Sequence, residues 1–386
     1  MNNTIYFDHA ATTPPDPEVI ALVCEYMQQV YGNAGSLHQS GQLARQAVVR
    51  ARRQVAELLG AKPQEIFFTS GGSESDNLAL KGIALANQAK GRHIITSSIE
   101  HHAVLHTCAW LEEQGFSVTY LPVDDKGRVS LQSLQAAVQD DTILISIMFA
   151  NNEIGTLQPI AEIGAFARQK GIYFHTDAVQ AAGHVPIDTE VLPIDALSLS
   201  GHKMYGPKGV GALYVRRGVK ILPQILGGAQ ERGLRAGTEN VPVLAGLGLA
   251  AEKAAAMMEQ ESAFLQQLQG YFIEQLEQNI PRLYVNGDRE YRLPGNVHVR
   301  ILDADGEGLL LNLDLAGIAA SSGSACTAGS MEFSHVLTAV GLRPEDGGAL
   351  RMTLGRSSTK AQIDICVKEL AGIVSRIRAL KEDNSR

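Results

Sequence analysis

From Ile66 onward, short apolar runs alternate with longer stretches in which apolar positions recur every three or four residues. The runs at 66–69, 93–96, 118–121, 143–148, 172–175, 196–199 and 211–215 predict strands, and most of the intervals between them predict helices. This alternation specifies an α/β chain with a largely parallel, helix-covered sheet. Two amphipathic helices precede it. The first spans 18–30, capped by Asp16 with Pro17 at its first position and closed by Gly32, and the second spans 42–59 and stops at Gly60. Past a glycine-rich loop at 227–240, a long helical pattern runs to about Gln278 and links two domains. Shorter strands at 283–285, 296–302, 318–321 and 350–354 then mix with helices at 307–315, 334–340 and 362–380. The expected division is a large α/β domain over 15–258 and a smaller α+β domain built from 1–14 and 259–386.

Composition narrows the function class. With 386 residues, 45% of them hydrophobic, the chain can bury two cores. A formal net charge of -8 and no long Lys/Arg run argue against nucleic acid or an anionic membrane surface as the principal partner. The N-terminal residues show no signal-peptide progression, and no stretch of about 18 consecutive apolar residues occurs, so a cytoplasmic small-molecule enzyme is expected. Four cysteines without CxxC spacing indicate neither a disulfide framework nor a zinc site. Cys24, Cys108 and Cys366 lie in helical patterns and are expected to be buried structural thiols. Cys326 sits among Ser, Gly, Ala and Thr, where a thiol stays accessible and reacts as its thiolate, with an ordinary pKa of about 8.5.

The candidate chemistry collects where strands end, which is where open α/β sheets bind ligands. Lys203 follows the apolar run 194–199 and the Ser200-Gly201-His202 turn. A desolvated lysine beside another potential cation loses its proton near neutrality and condenses with an aldehyde; the alternative is a lysine in an ordinary surface turn. Asp177 emerges at the end of a buried strand, where an unpaired carboxylate is costly and a cationic ring nitrogen is a suitable partner; Gln180 follows three residues later. The Gly71-Gly72-Ser73 turn opens a helix and forms an anion site suited to phosphate, or else a plain helix cap. His101 and His102 follow another strand, and one of them can stack on a flat ring or move protons; metal binding is not expected there. Asn152 lies in a turn after 143–148, and Arg351 sits inside an apolar strand pattern, where its guanidinium requires an anion such as a carboxylate. An aldehyde anchor, a ring-nitrogen partner, a phosphate cradle and a ring-face histidine together match the demands of pyridoxal phosphate.

The motifs YFDHAATT (6–13), TSGGSESDN (69–77), Glu100-His101, NNEIG (151–155), DAVQ (177–180), SGHKMYGPKG (200–209), RAGT (235–238), SSGSACT (321–327) and LRMTLGR (350–356) resemble those of the NifS/IscS-type cysteine desulfurases of the class V aminotransferase group. The resemblance implies a pyridoxal-phosphate-dependent transferase of fold type I, with a mostly parallel seven-stranded sheet, helices on both faces and a smaller α+β domain. By the same resemblance, Lys203 anchors the cofactor, Asp177 pairs with its ring nitrogen, Gln180 and Asn152 contact the ring hydroxyl side, and His101 stacks on the ring. Gly72, Ser73, Ser200 and His202 hold the phosphate, and Thr238 reaches it from the other subunit of a homodimer. Asn33, Asn152 and Arg351 orient the L-cysteine substrate, and Cys326 attacks its sulfur for delivery to an acceptor protein, an iron-sulfur scaffold or a thiolation enzyme. The sequence departs from the usual pattern at NAGS (33–36), where a proline commonly follows the asparagine. An aminotransferase or selenocysteine lyase would need Lys203 and Asp177 but not Cys326.

Overall fold

The computed structural model describes residues 4–322 and 333–384. In chain order, β1 (Ile5–Tyr6) leads to α1 (Pro17–Gln29) and α2 (Gln39–Leu58). The large sheet and its helices follow as β2 (Ile66–Thr69), α3 (Gly72–Asn87), β3 (His93–Ser97), α4 (His102–Glu113), β4 (Ser117–Leu121), α5 (Leu131–Ala137), β5 (Thr142–Ser146), α6 (Ile160–Lys170), β6 (Tyr173–Asp177), β7 (Ala196–Ser200) and β8 (Gly211–Val215). Next comes the long α7 (Val241–Asn279), then β9 (Leu283–Val285), β10 (Asn296–Ile301), α8 (Gly306–Leu315), β11 (Ile318–Ala319), α9 (His335–Ala339), β12 (Gly348–Thr353) and α10 (Lys360–Asn384).

The seven strands expected from the apolar runs form one sheet in the order β2-β8-β7-β6-β5-β3-β4. Pairings from β7 through β4 are parallel, and β8 runs antiparallel to both β7 and β2. Both faces are covered, as the strands' alternation shows. Ile95, Ile145, Leu197 and Tyr214 join a core with residues of α2, α6 and α7, while their chain neighbours Ile94, Leu144, Ala196 and Leu213 join another with α3 and α4.

A separate core unites β10, α8, β12 and α10 with the second half of α7, through residues such as Phe272, Val299, Leu350 and Leu370. Helix α7 belongs to both cores: Leu244, Leu247 and Ala251 enter the first, and Leu265, Phe272 and Leu276 the second. Its mean hydropathy reaches 1.4 in its most apolar window, half of which is buried within the protein.

Two expectations change. The run at 143–148 is a strand only through Ser146, after which the chain turns into the cavity wall. Cys108 and Cys366 are buried, burial pushing the Cys366 thiol up to about 12, but Cys24 is exposed. Helix α1 lies on the outside and buries only Val19, so helical periodicity there did not mean enclosure on Cys24's side. Cys326 lies outside the described residues.

Candidate active site

A cavity of about 260 Å³ opens at the carboxyl ends of the central strands. Gly72 and Ser73 come to it from the start of α3, Asp177 from the last position of β6 with Gln180 just beyond, and Ser200 from the last position of β7. His202 and Lys203 lie on the one-turn 3₁₀ helix that follows β7. His101 caps α4, Asn152 comes from the turn after β5, and Arg351 enters from β12. Asn33 and Thr238 do not line this cavity. Both are exposed, and the Asn33 Oδ1 accepts the Gly35 N–H at 2.8 Å in a local turn.

The N-terminal end of α3 is built to leave its amides available. Gly71, at φ 155°, precedes the helix without a side-chain cap, and a Cβ on Gly72 would lie 2.6 Å from Val179 Cγ2. Glu74 does not line the cavity: its carboxylate accepts the Ser70 N–H at 2.9 Å and binds Arg235 through Nε at 2.8 Å and Nη2 at 3.2 Å. First-turn amides with the helix dipole behind them, flanked by Ser73 and Ser200, suit a phosphate.

Lys203 is held by the N-terminal segment. Its Nζ donates to the carbonyls of Ala10 and Ala11, the second at 2.8 Å, and the Gln180 side-chain amide donates to Ala10 O at 3.0 Å. His202 Nδ1 meets Thr12 Oγ1 at 3.1 Å, and Thr13 Oγ1 accepts from the N–H of Tyr205, a non-glycine residue at φ 62°. These contacts hold the tight exit from the lysine turn in its left-handed conformation.

Electrostatics divide the cavity. Burial, followed by the Lys203 charge, pushes His101 down to about 4, so its imidazole is neutral at pH 7. Its Nδ1 accepts the Ala103 N–H at 3.1 Å, which leaves the proton on Nε2. His202 is likewise lowered to about 4 by burial and then Lys203. Asp177 is driven up to about 6 by burial, against the Val179 N–H that its Oδ1 accepts at 2.9 Å and the Lys203 charge. A cationic group beside it would restore ordinary acidity. Arg351, 2% exposed, donates to Asp8 Oδ1 at 2.9 Å and to Asn152 O at 2.9 Å, so the anion its burial demanded is Asp8.

Sequence reasoning missed several of these groups. Asp8 acts on Arg351 from almost the other end of the chain, and the Ala10 and Ala11 carbonyls act on Lys203 from half a chain length away, beyond any local pattern. Asp76 was accessible to it: one helical turn after Gly72 on α3, it shares that residue's inward face. Glu100 was quoted only within a motif, yet it is fully buried, accepts Ser97 Oγ–H at 2.6 Å and Met148 N–H at 3.0 Å, and is raised by burial to about 8. It ties the His101 turn to the end of β5.

The class-V aminotransferase family model matches residues 5–366. The chain belongs to the class-V aminotransferase family. Among curated class-V relatives, it is 56% identical over 378 residues to "Cysteine desulfurase IscS" of Methanosarcina thermophila, covering 98% of this chain and 93% of the relative. It is 50% identical to "Cysteine desulfurase IscS" of Clostridium botulinum, covering 98% of this chain and 96% of the relative. Among solved structures, a "NIFS-LIKE PROTEIN" superposes with TM-score 0.91 at 38% identity, covering 97% of this chain and all of that one (100%). "SspA in complex with cysteine" superposes with TM-score 0.82 at 40% identity, covering 92% of this chain and 100% of that one.

Proposed function

We propose that this chain is a cysteine desulfurase that uses pyridoxal phosphate to convert L-cysteine into L-alanine and a persulfide on Cys326. The observation that carries the reading is the meeting of Lys203, Asp177 and the uncapped start of α3 in one cavity, in a chain 56% identical to a named cysteine desulfurase. The residues fit the cofactor: glycine at 72 leaves room for an anion, and the buried Asp177 requires a cation. When bound, the cofactor supplies the electron sink that makes the substrate's Cα proton removable and its C–S bond labile.

Lys203 would anchor the cofactor covalently and, as a free amine, would take the proton from the substrate's Cα. Asp177 would hold the ring nitrogen, the neutral His101 would lie against the ring, and Gln180 with Asn152 would serve the ring hydroxyl. Gly72, Ser73, Ser200 and His202 would hold the phosphate, joined by the partner subunit's Thr238 in a homodimer. Arg351, fixed by Asp8 and the Asn152 carbonyl, would take the substrate carboxylate bidentately together with Asn152, whereas Asn33, exposed and turned to the Gly35 N–H, does not reach it within one chain. The Cys326 thiolate takes the sulfur atom, the C–S bonding electrons remain with carbon, and protonation there gives alanine. The persulfide then passes to an acceptor protein of iron-sulfur assembly or thiolation in the cytoplasm. The division into 15–258 and 1–14 with 259–386 belongs to the same proposal, supported by the separate cores.

The test is Cys326→Ser. The variant is expected to bind cofactor and cysteine yet release neither sulfide nor sulfur-loaded protein, and wild type exposed briefly to cysteine should carry one added sulfur on the Cys326 peptide by mass spectrometry. Retained turnover in the serine variant, with no added sulfur in wild type, would instead indicate an aminotransferase or selenocysteine lyase.

A further inference from the structure

The turn that carries Lys203 leaves through a backbone conformation that its own sequence does not favour. Tyr205, two residues on, is buried and sits at φ 62°, where a Cβ crowds the following carbonyl. Its backbone is tied to the N-terminal segment: the Tyr205 N–H donates to Thr13 Oγ1 at 2.8 Å, and its carbonyl accepts the Asp16 N–H at 2.9 Å. Its side chain is tied elsewhere. The phenol oxygen accepts the Arg356 backbone N–H at 2.9 Å, and the Arg356 guanidinium carbon lies 4.0 Å from the centre of the ring. Arg356 comes 151 positions later in the sequence, just beyond β12.

The guanidinium is itself fixed from α7. Arg356 Nε donates to Glu261 Oε2 at 2.6 Å, and Nη1 lies 3.6 Å from Asp16 Oδ2. The Glu261 side chain is 7% exposed, so this pair is shielded from water in a way that surface ion pairs are not. Ser262, the next residue of α7, reaches the lysine turn by another route: its hydroxyl donates to His184 O at 2.7 Å, and His184 Nε2–H donates to Lys203 O at 2.8 Å. One point on α7 therefore holds the turn at Lys203 and, through Arg356, at Tyr205. Helix α7 is the element that enters both cores, and Arg356 stands on the same short segment as Arg351, which lines the cavity.

We propose that Arg356, fixed by Glu261, is a positioning residue for Lys203: it holds Tyr205 in the left-handed exit of the turn and so sets where the Lys203 amine stands. The inference rests on the functional reading above. Arg356 does not line the cavity, so it acts through Tyr205 rather than on substrate or cofactor. Arg351 has its own partners, Asp8 and the Asn152 carbonyl, and keeps them when Arg356 is changed, so that substrate binding and placement of the lysine separate. A base displaced by about 1 Å loses roughly 10²-fold in rate.

Two variants test the contact. Arg356→Lys keeps a cation for Glu261 but loses the planar group over Tyr205, and Tyr205→Phe keeps the ring but loses the acceptor of the Arg356 N–H. Hydrogen exchange in the cofactor-free proteins is the first readout, independent of any bound group. The amides of Met204 and Gly206 are bonded to Gly201 O and that of Tyr205 to Thr13. In Arg356→Lys all three are expected to exchange about ten-fold faster than in wild type, while those of β5 and β6 keep their rates. Unchanged exchange in the turn, or an equal rise in both regions, overturns the proposal. The second readout is turnover of cysteine by the cofactor-bound proteins at a temperature where all remain folded. Arg356→Lys is expected to lower kcat by about ten- to a hundred-fold with KM within about two-fold, and Tyr205→Phe to lower kcat by a few-fold. Wild-type kcat in both variants, or a raised KM with kcat intact, would mean that Arg356 does not act through the lysine, and either result overturns the assignment. A wild type that binds no coloured cofactor would sink the functional reading, while exchange in the turn still decided whether Arg356 holds Tyr205.

Discussion

The cavity floor and the two exposed loops carrying Asn33 and Thr238 all belong to the site that the family resemblance implies, yet the structure treats them differently. Asp177, Ser200 and Lys203 stand on or just beyond adjacent parallel strands, and the register of those strands brings them together. Asn33 and Thr238 stand on loops with no such register, and both are outside the cavity of their own chain. The difference separates what one chain builds from what it does not, and of the two only Thr238 is proposed to act from the other subunit of a homodimer.

The largest break in that comparison is Lys203→Ala. Removing the amine that the Ala10 and Ala11 carbonyls hold is expected to abolish turnover and the yellow absorbance of lysine-linked cofactor. Wild-type turnover in that variant would end the anchor assignment. An intermediate effect is expected for Gly72→Ala, whose new methyl meets Val179; cofactor affinity should fall by about ten-fold at a stability cost of about 1–3 kcal/mol. Adding Val179→Ala should recover much of both, and failure to recover would move the cause away from that contact. The smallest effect is reserved for Thr238→Ala, expected to weaken cofactor binding by a few-fold, about 1 kcal/mol, through one lost hydrogen bond across subunits. Analytical ultracentrifugation with cofactor titration checks it: a purely monomeric protein that binds cofactor at full affinity would remove the partner's contribution.

Much of the floor was legible in the sequence because strand-end position is local information. An apolar run followed by a polar residue locates Asp177 or Lys203 without any knowledge of the partner strands. Pairings at long separation were not legible. Arg351 showed that it needed an anion, but nothing near it in the chain named Asp8. Cys24 illustrates another limit, since periodicity shows that a helix has faces without showing which face a neighbour covers. Asp76 was overlooked although its place, one helical turn after Gly72 on α3, was readable from the spacing; that it is enclosed, at 1% exposure, shows only in the fold.

The strap formed by residues 5–13 bears on the order in which the molecule can be completed. β1 pairs with β11, Asp8 reaches Arg351 across 343 positions of sequence, and the Ala10 and Ala11 carbonyls wait for Lys203. At roughly 5–20 residues per second on a ribosome, the first-made segment stays without those late partners for a time on the order of tens of seconds. The seven-stranded sheet can assemble within that interval, but the strap that seats the lysine cannot be locked from its far side until the chain beyond Arg351 has been synthesised. The seat of Lys203 is thereby finished later than the sheet that carries it.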